Sequence, residues 1–168
     1  MTKIGLVSDT HGTIDEKLLD FFADCDQIWH AGDWGNIYVS EVLEKFKPVI
    51  GVYGNIDDWQ IRNKYPEHQR FNIENLNVWI THIGGYPGKY DIRVRKEIIQ
   101  NPPDLFICGH SHILKIMYDK KLNLWHINPG AYGYSGFHKK RTAVKFVIDG
   151  KKIKNLQILE LSKKRKID

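Results

Sequence analysis

The first third of the chain alternates short apolar runs with longer amphipathic segments. Three runs, at 3–8, 26–33 and 48–55, have an apolar centre and end in small or polar residues. The segments after the first two runs, 13–25 and 37–46, repeat apolar residues at the spacing of one helical face. The pattern predicts three strands separated by two helices. The polar stretch that follows, to about Gln69, predicts a helical turn and a loop.

The second half of the chain is dominated by strand patterns. Residues 70–82 predict two short strands around a turn at Glu74 to Asn77, and 104–110 is an apolar run typical of a buried strand. Two alternating segments, 113–133 and 142–161, contain turn signals and predict antiparallel hairpins. One amphipathic segment, 90–101, predicts a helix. Alternating strands and helices followed by mostly strands favour a layered α/β fold with mixed sheets.

Length and composition are those of one folded domain. The 168 residues show no break in composition, so we assign residues 1–168 to a single domain, with 163–168 as a candidate disordered basic tail. No apolar run is long enough to cross a bilayer, and strand-like sequence begins by Ile4, before any signal peptide would fit. We therefore expect a cytoplasmic protein that does not bind membranes. Cys25 and Cys108 are expected to be reduced, with Cys108 in the core.

The charge of the chain gives little support to a nucleic-acid partner. The formal net charge is +5, but the segment KKRK at 163–166 contributes four positive charges. Subtracting these four from +5 leaves +1 for the other residues. Since nucleic-acid backbones are bound by clustered basic residues, this partner stays open but is not favoured.

Polar side chains suited to metal binding follow five of the predicted strands. Residues just beyond the carboxyl ends of strands in α/β sheets can converge on one crevice. Alternate residues of extended backbone point to the same side, so the Asp-x-His and His-x-His pairs can each present two side chains together. Any one of these motifs is more often an ordinary turn, but their number and placement indicate a site. The candidate residues are Asp9, His11, Asp33, Asn55, His82, His110 and His112.

The order of these motifs resembles that of the calcineurin-like metallophosphoesterases, and specifically their small bacterial and archaeal phosphodiesterase branch. The family's successive blocks are Asp-x-His, Gly-Asp, Gly-Asn, His and Gly-His-x-His, and the candidate residues match all of them. The segment Asn128-Pro129-Gly130 is similar to one that follows the last block in that branch. The resemblance covers almost the whole chain and implies a four-layer α/β/β/α sandwich of two mixed β-sheets flanked by helices.

The resemblance also implies that the seven residues hold two divalent metal ions. Mixed imidazole and carboxylate ligands suit Mn, which we expect, and also Ni, Fe, Co or Zn, better than Ca or Mg. Two carboxylates and a bridging hydroxide leave such a site with a charge of about +1, which suits a phosphodiester. The predicted reaction is hydrolysis of a small phosphodiester by the metal-bridging hydroxide. One ion would bind Asp9, His11, Asp33 and His112, and the other Asp33, Asn55, His82 and His110, with Asp33 as the bridge.

Two positions depart from patterns common in the family. Larger members place a histidine after the Gly-Asn block, where it helps to protonate the leaving group, whereas this chain has Ile56. No general acid is therefore assigned. The next residue, Asp57, matches the small branch. Ile83 stands where the branch commonly has a glycine after the single histidine, which predicts a differently shaped loop around Tyr86.

The remaining histidines have competing interpretations. His30 and His126 are as consistent with core histidines as with partners of metal ligands. His68 and His138 lie in polar surroundings and are expected at the surface. The basic cluster from His138 to Arg141 either contacts a phosphate or forms a solvated loop, and we favour the loop.

Alternative functions stay open beside the phosphodiesterase. Relatives by fold include nucleases and nucleotide phosphatases, but this chain has no appended region to grip a polymer, which favours a small substrate. The retromer subunit of eukaryotes is also similar to this branch and acts as a non-catalytic scaffold that binds proteins. All seven ligand positions carry competent side chains, which favours catalysis. The resemblance further implies a homo-oligomer, either a dimer or a larger assembly.

Overall fold

The computed structural model describes residues 1–164, which form two five-stranded sheets, a two-stranded ribbon and four helices. The helices are α1 (Glu16–Phe21), α2 (Ile37–Phe46), α3 (Trp59–Lys64) and α4 (Ile92–Gln100). The strands are β1 (Thr2–Val7), β2 (Gln27–His30), β3 (Val49–Gly51), β4 (His68–Ile73), β5 (Leu76–Thr81), β6 (Gly85–Tyr86), β7 (Lys89–Tyr90), β8 (Leu105–Ile107), β9 (Leu114–Asp119), β10 (Leu124–Pro129), β11 (Lys140–Asp149) and β12 (Lys152–Ser162).

Both large sheets are mixed. In the first sheet, β1, β2 and β3 run parallel, and the antiparallel pair β11 and β12 extends it in the order β12-β11-β1-β2-β3. In the second sheet, β5, β8 and β10 run parallel, and antiparallel strands form both edges in the order β4-β5-β8-β10-β9. The parallel strands therefore end at one edge of each sheet, where the loops carrying the candidate ligands begin.

Three apolar clusters separate four layers. Leu6 of the first sheet and Ile107 of the second belong to the cluster buried between the sheets. A second cluster packs helices α1, α2 and α3 against the outer face of the first sheet. In the third, Val94 of α4 covers Phe106 on the outer face of the second sheet. These contacts confirm the α/β/β/α sandwich of two mixed sheets that the sequence predicts.

Local structure differs from the sequence prediction at one helix and one hairpin. The helix predicted within 13–25 covers only Glu16–Phe21, and it begins there because Asp15 caps it by accepting a hydrogen bond from the backbone of Leu18. The stretch predicted as a helical turn and a loop contains the six-residue helix α3, in agreement with the prediction, and Asp58 caps it in the same way. The pattern along 85–90 does not predict the short β6–β7 hairpin.

Several further predictions concern the ends and the thiols of the chain. Cys25 and Cys108 are free and buried, so Cys108 lies in the core as predicted. Within residues 1–164, no helix is both long and apolar enough to cross a lipid bilayer. Lys163, which belongs to the candidate basic tail, donates a hydrogen bond to the carbonyl of Gly136. Residues 165–168 lie outside the described part of the chain.

Replacing Ile107 with alanine should lower the free energy of unfolding by about 2–5 kcal/mol, because the side chain is fully buried between the sheets and its loss leaves a cavity. Urea unfolding followed by circular dichroism measures the change. Ile158→Ala is the matched control. That side chain is 44% exposed, so its replacement should lower the free energy of unfolding by less than about 1 kcal/mol. Equal losses in the two variants would contradict the position of the core.

Candidate metal centre

All seven candidate residues meet at the carboxyl ends of the parallel strands. In the first sheet, they follow β1, β2 and β3, and in the second sheet they follow β5 and β8. The two sets of loops are joined directly, because the backbone N–H of His110 donates to Oδ2 of Asp9 at 3.1 Å. The site therefore lies where the open edges of the two sheets face each other.

Three of the candidates form a first group, Asp9, His11 and His112, whose ligand atoms all lie within 4.8 Å of one another. Nε2 of His112 is 3.1 Å from Oδ1 of Asp9, and Nε2 of His11 is 3.8 Å from the same oxygen. This is the set predicted for one metal ion, apart from the shared carboxylate. The first sheet contributes two of these side chains and the second sheet contributes one.

Three other candidates form a second group, Asp33, His82 and His110, again with ligand atoms within 4.8 Å of one another. Nε2 of His82 is 3.1 Å from Oδ2 of Asp33. The remaining candidate, Asn55, joins this group because its Oδ1 is 3.0 Å from Nδ1 of His110. These four residues are the set predicted for the other ion.

Asp33 lies between the two groups. Its Oδ2 is 3.1 Å from Nε2 of His82 in the second group and 3.8 Å from Nε2 of His11 in the first group. Its other oxygen, Oδ1, accepts a hydrogen bond from the backbone N–H of Ile56 at 3.1 Å, which fixes the carboxylate. Asp9 makes a similar contact across the groups, because its Oδ1 is 3.8 Å from Nε2 of His82. The bridging role of Asp33, which the resemblance implies, therefore stays a prediction.

Atoms without partners are concentrated in the site. Within residues 1–164, five buried side-chain polar atoms lack a hydrogen bond, and three of them are Oδ1 of Asp9, Nε2 of His11 and Nε2 of His82. The second oxygen of Asp9 is satisfied, since it accepts from the hydroxyl of Ser8 at 2.6 Å and from the backbone of His110. Buried polar atoms that have no partner are costly unless something binds them. The residues therefore fit divalent metal ions, which would bind these atoms.

The electrostatics of the cluster favour positive charge. Burial alone would raise the pKa of Asp9, but contacts with His11, His112 and His82 hold it well below its ordinary range. Contact with Asp9 raises the pKa of His11. Burial acts to lower the pKa of His82, and Asp33 and Asp9 more than offset that effect, so that it is raised. The imidazoles of His11 and His82 thus lie where a cation is stabilised. Burial and the nearby His82 instead lower the pKa of His110.

One histidine of the second group has its tautomer set by the backbone. Nδ1 of His82 lies 2.7 Å from the carbonyl oxygen of Ala31, and a carbonyl can only accept. Nδ1 therefore carries a proton, and Nε2 is the ring nitrogen that faces the site, 3.1 Å from Oδ2 of Asp33. A hydrogen bond of this kind is the usual support of a metal-binding histidine.

The backbone geometry of the ligand loops differs from the prediction. Five candidates, Asp9, His11, Asp33, His110 and His112, have φ between 46° and 70°. The expectation that extended backbone pairs Asp9 with His11 and His110 with His112 is therefore wrong, because left-handed turns bring these side chains together. Residues other than glycine rarely adopt this conformation, and their clustering is typical of functional sites.

The glycines of the Gly-Asn and Gly-His-x-His blocks are required by close packing. A Cβ atom at Gly54 would overlap the carboxylate of Asp33, and one at Gly109 would overlap the hydroxyl of Ser8 and approach Oδ2 of Asp9 to 2.6 Å. Any side chain at these positions would displace a candidate ligand or its hydrogen-bond partner. The motif glycines thus give the carboxylates room to approach the neighbouring loops.

Asp57 connects two ligand loops without itself reaching the site. Its buried carboxylate accepts backbone hydrogen bonds from Asp33, Gly35 and Gly54 at 2.8–3.1 Å. Burial raises the pKa of this carboxyl group. The sequence showed only that Asp57 matches the small branch, and its three backbone partners, one of them the N–H of Asp33, are visible only in the fold.

His30 and His126 both prove to be buried histidines outside the ligand set. Nδ1 of His30 accepts from the backbone of Gly32 at 3.1 Å, and its ring stacks on Trp34 at 3.7 Å. His30 thus supports the loop that carries Asp33. Nδ1 of His126 donates to the carbonyl of Phe106 at 3.2 Å, within the core of the second sheet.

The basic cluster from His138 to Arg141 divides into three kinds of residue. Lys139 is exposed in a loop, as predicted, whereas Lys140, although exposed, is the first residue of β11. Arg141 is buried and pairs with Asp15 at 2.9 Å, so it is not free to bind a phosphate. His138, predicted at the surface, is only partly exposed, and its Nδ1 lies 3.2 Å from Nδ1 of His112. The surface prediction for His138 is wrong because its loop folds back over the ligand turns.

Known proteins with similar sequences and structures carry the same fold. An archaeal metallophosphoesterase, described as probable, from Methanothermobacter thermautotrophicus is 32% identical over 135 residues, which are 76% of this chain and 76% of the relative. The structure of an archaeal phosphodiesterase superposes with a TM-score of 0.74 at 22% identity, over 95% of this chain and 99% of that one. Zinc-complexed Vps29 from Entamoeba histolytica has a TM-score of 0.74 at 17% identity, over 96% and 99% of the two chains.

The family assignment follows from the sequence match rather than from the fold alone. Residues 2–151 match the calcineurin-like phosphoesterase superfamily domain, and this range contains all seven candidate ligands. With this match over most of its length and an archaeal relative above 30% identity, the chain belongs to the calcineurin-like phosphoesterase superfamily.

Proposed function

We propose that the protein is a phosphodiesterase that depends on two divalent metal ions. The observation that supports this most strongly is the pair of ligand groups with Asp33 between them. Two ions bound there would lower the pKa of a bound water and stabilise charge on the attacking and leaving oxygens of a phosphoester. Family membership supports a hydrolase of phosphoesters, and the geometry supports two ions rather than one.

The side chains of the site are held ready to bind cations. Asp9 and Asp33 each have one oxygen engaged by the protein and the other directed at the groups. Imidazole nitrogens, carboxylate oxygens and the amide oxygen of Asn55 form a donor set that suits Mn²⁺, our first choice, or Ni²⁺, Fe²⁺, Co²⁺ or Zn²⁺. The two carboxylates offset only half of the charge of two divalent ions, which favours binding of an anionic ester.

Two small clefts beside the second group support a substrate with two short ester arms. One cleft of about 230 Å³ is lined by Asn55 and His82 together with Arg62. The other, of about 170 Å³, is lined by His110 together with Lys115. Both clefts are lined by basic residues as well as by proposed ligands, which suits a small anionic phosphodiester. Neither cleft has the extent of a groove for a long polymer.

Protonation of the leaving group is not assigned to a side chain. Ile56, exposed beside Asn55, can donate only its backbone N–H, and Asp33 already accepts that. A substrate with a good leaving group, or a proton from solvent, would then be sufficient. We therefore expect the fastest hydrolysis with activated aryl esters.

The alternative functions receive no separate support from the site. The likeness to Vps29 shows a shared fold, while all seven ligand positions of this chain carry competent side chains that converge. A nuclease or nucleotide phosphatase would use the same centre, and the size of the clefts is the reason to favour a small diester. The cytoplasmic location and the dimer or larger oligomer stay predictions of the sequence.

The activity prediction uses bis-p-nitrophenyl phosphate, with p-nitrophenyl phosphate as the monoester comparison. Protein loaded with Mn²⁺ or Ni²⁺ should hydrolyse the diester, and Asp9→Asn and His110→Ala should each lose more than about 100-fold in kcat/KM, since each removes a ligand. Asp24→Asn is the matched control, because that carboxylate is half exposed and lies at the surface. Failure to cleave any phosphoester with any divalent ion would contradict the proposed phosphodiesterase activity and favour the alternative of a non-catalytic scaffold that binds proteins.

Metal stoichiometry tests the shared carboxylate. Equilibrium dialysis against Mn²⁺ should give two ions per chain for the wild type and for Asp24→Asn. His11→Ala should lose one ion, because His11 belongs to the first group alone. Asp33→Asn should weaken binding of both ions by at least about tenfold, since its carboxylate contacts both groups. Retention of one ion at full affinity in Asp33→Asn would show that this residue is not a bridge.

A further inference from the structure

We infer that His138 is a positioning residue that sets the tautomer of His112 and so presents its Nε2 to a metal ion in the first group. The inference rests on the proposed metal centre. Two distances support it: Nδ1 of His138 lies 3.2 Å from Nδ1 of His112, and Nε2 of His138 lies 2.8 Å from the carbonyl oxygen of Gly133. Two successive hydrogen bonds, between Gly133 and His138 and between His138 and His112, thus connect the backbone to a proposed ligand.

The direction of each hydrogen bond follows from the carbonyl at one end. The oxygen of Gly133 can only accept, so Nε2 of His138 carries a proton. In a neutral imidazole the other nitrogen is then an acceptor, and Nδ1 of His138 accepts from Nδ1–H of His112. The proton on Nδ1 of His112 is thereby fixed, and Nε2, which lies 3.1 Å from Oδ1 of Asp9, is the ring nitrogen left to bind a metal ion.

The loop that carries His138 is fastened to the same ligand segment. Gly133 donates its backbone N–H to the carbonyl of Asp9 at 2.9 Å, and Tyr132 donates to Ser8 at 3.1 Å. Gly133 therefore contacts Asp9 through its N–H and His138 through its carbonyl. His138, which supports His112, is therefore held in a fixed position relative to Asp9, whose Oδ1 lies 3.1 Å from Nε2 of His112.

Gly136 encloses the histidine pair from outside. A Cβ atom at this position would overlap Nδ1 of His112 and lie 3.2 Å from Nδ1 of His138. The rings meet nearly at right angles, at 81°, with centroids 5.0 Å apart, so that the contact is through ring nitrogens rather than by stacking. The loop backbone thus comes close to the pair only because residue 136 has no side chain.

The effect of His138 should be confined to one ion. His138 contacts His112 of the first group, whereas His82 of the second group donates directly to the carbonyl of Ala31. Loss of His138 should therefore weaken one metal site and leave the other unchanged. A general loss of structure would weaken both.

The first measurement reports protons directly and needs no variant. Long-range ¹H–¹⁵N correlation spectra of the Zn²⁺-loaded protein, recorded at mildly alkaline pH, show which ring nitrogen of each histidine carries a proton. We expect the proton of His112 on Nδ1 and that of His138 on Nε2. A proton on Nε2 of His112 in the wild type would overturn the inference.

The second measurement compares variants by Mn²⁺ titration calorimetry. His138→Phe keeps the ring but removes the acceptor, so one of the two affinities should fall about 10–100-fold. His138→Asn places an amide oxygen near the position of Nδ1 and should restore most of that affinity. Lys139→Met, which replaces an exposed neighbour of His138 in the same loop, is the control. Unchanged affinities in a folded His138→Phe protein would overturn the inference.

The two proposals fail in different ways. Wild-type protein that binds no divalent ion would contradict the proposed metal centre and, with it, the role of His138 toward a metal. Protein that binds two ions and hydrolyses the diester, with both affinities independent of residue 138, would leave the proposed function intact and overturn only the role of His138.

Discussion

The structure depends on keeping unpaired ligand atoms buried and close together. Oδ1 of Asp9 and Nε2 of both His11 and His82 are enclosed without hydrogen-bond partners, an arrangement that costs free energy in the absence of a bound cation. What makes it tolerable is that the other polar atom of Asp9 and of His82 is satisfied, by the hydroxyl of Ser8 and the carbonyl of Ala31. The backbone N–H of Ile56 holds Oδ1 of Asp33 in the same way. Asp9, Asp33 and His82 are thereby oriented so that their free atoms face the centre of the cluster.

Left-handed backbone at five ligand positions adds a second cost. Such conformations cost about 1–3 kcal/mol each and persist only where surrounding contacts determine them. Here those contacts come from buried groups beneath the loops. Asp57 binds three backbone N–H groups across two loops, and His30 supports the loop of Asp33 while its Nε2 lies 3.0 Å from the hydroxyl of Thr10. These residues do not reach the ligand groups, yet they determine the directions of the side chains that do.

Most strands and helices and the seven candidates could be predicted because both depend on local signals, whereas the four-layer arrangement was implied by the resemblance to a known family. Apolar periodicity marks strands such as β8, and short motifs after strand ends mark residues such as His110. These signals did not predict the left-handed turns, since φ at Asp9 depends on contacts with a loop more than a hundred residues away. His138 was placed at the surface for a similar reason. Its own neighbours in sequence are polar and basic, and only the return of the loop from Gly133 reveals its contact with His112.

The distribution of ligands between the sheets has a mechanical consequence. Each group takes side chains from both sheets. A cation held there would therefore act as a cross-link between the sheets at the open end of the sandwich, and no disulfide joins the layers because both cysteines are free. Separation of the two sheets during unfolding would then require release of the ions. Since a ligand that binds only the folded state stabilises it by mass action, the resistance of this protein to heat would be set in part by the free metal concentration around it.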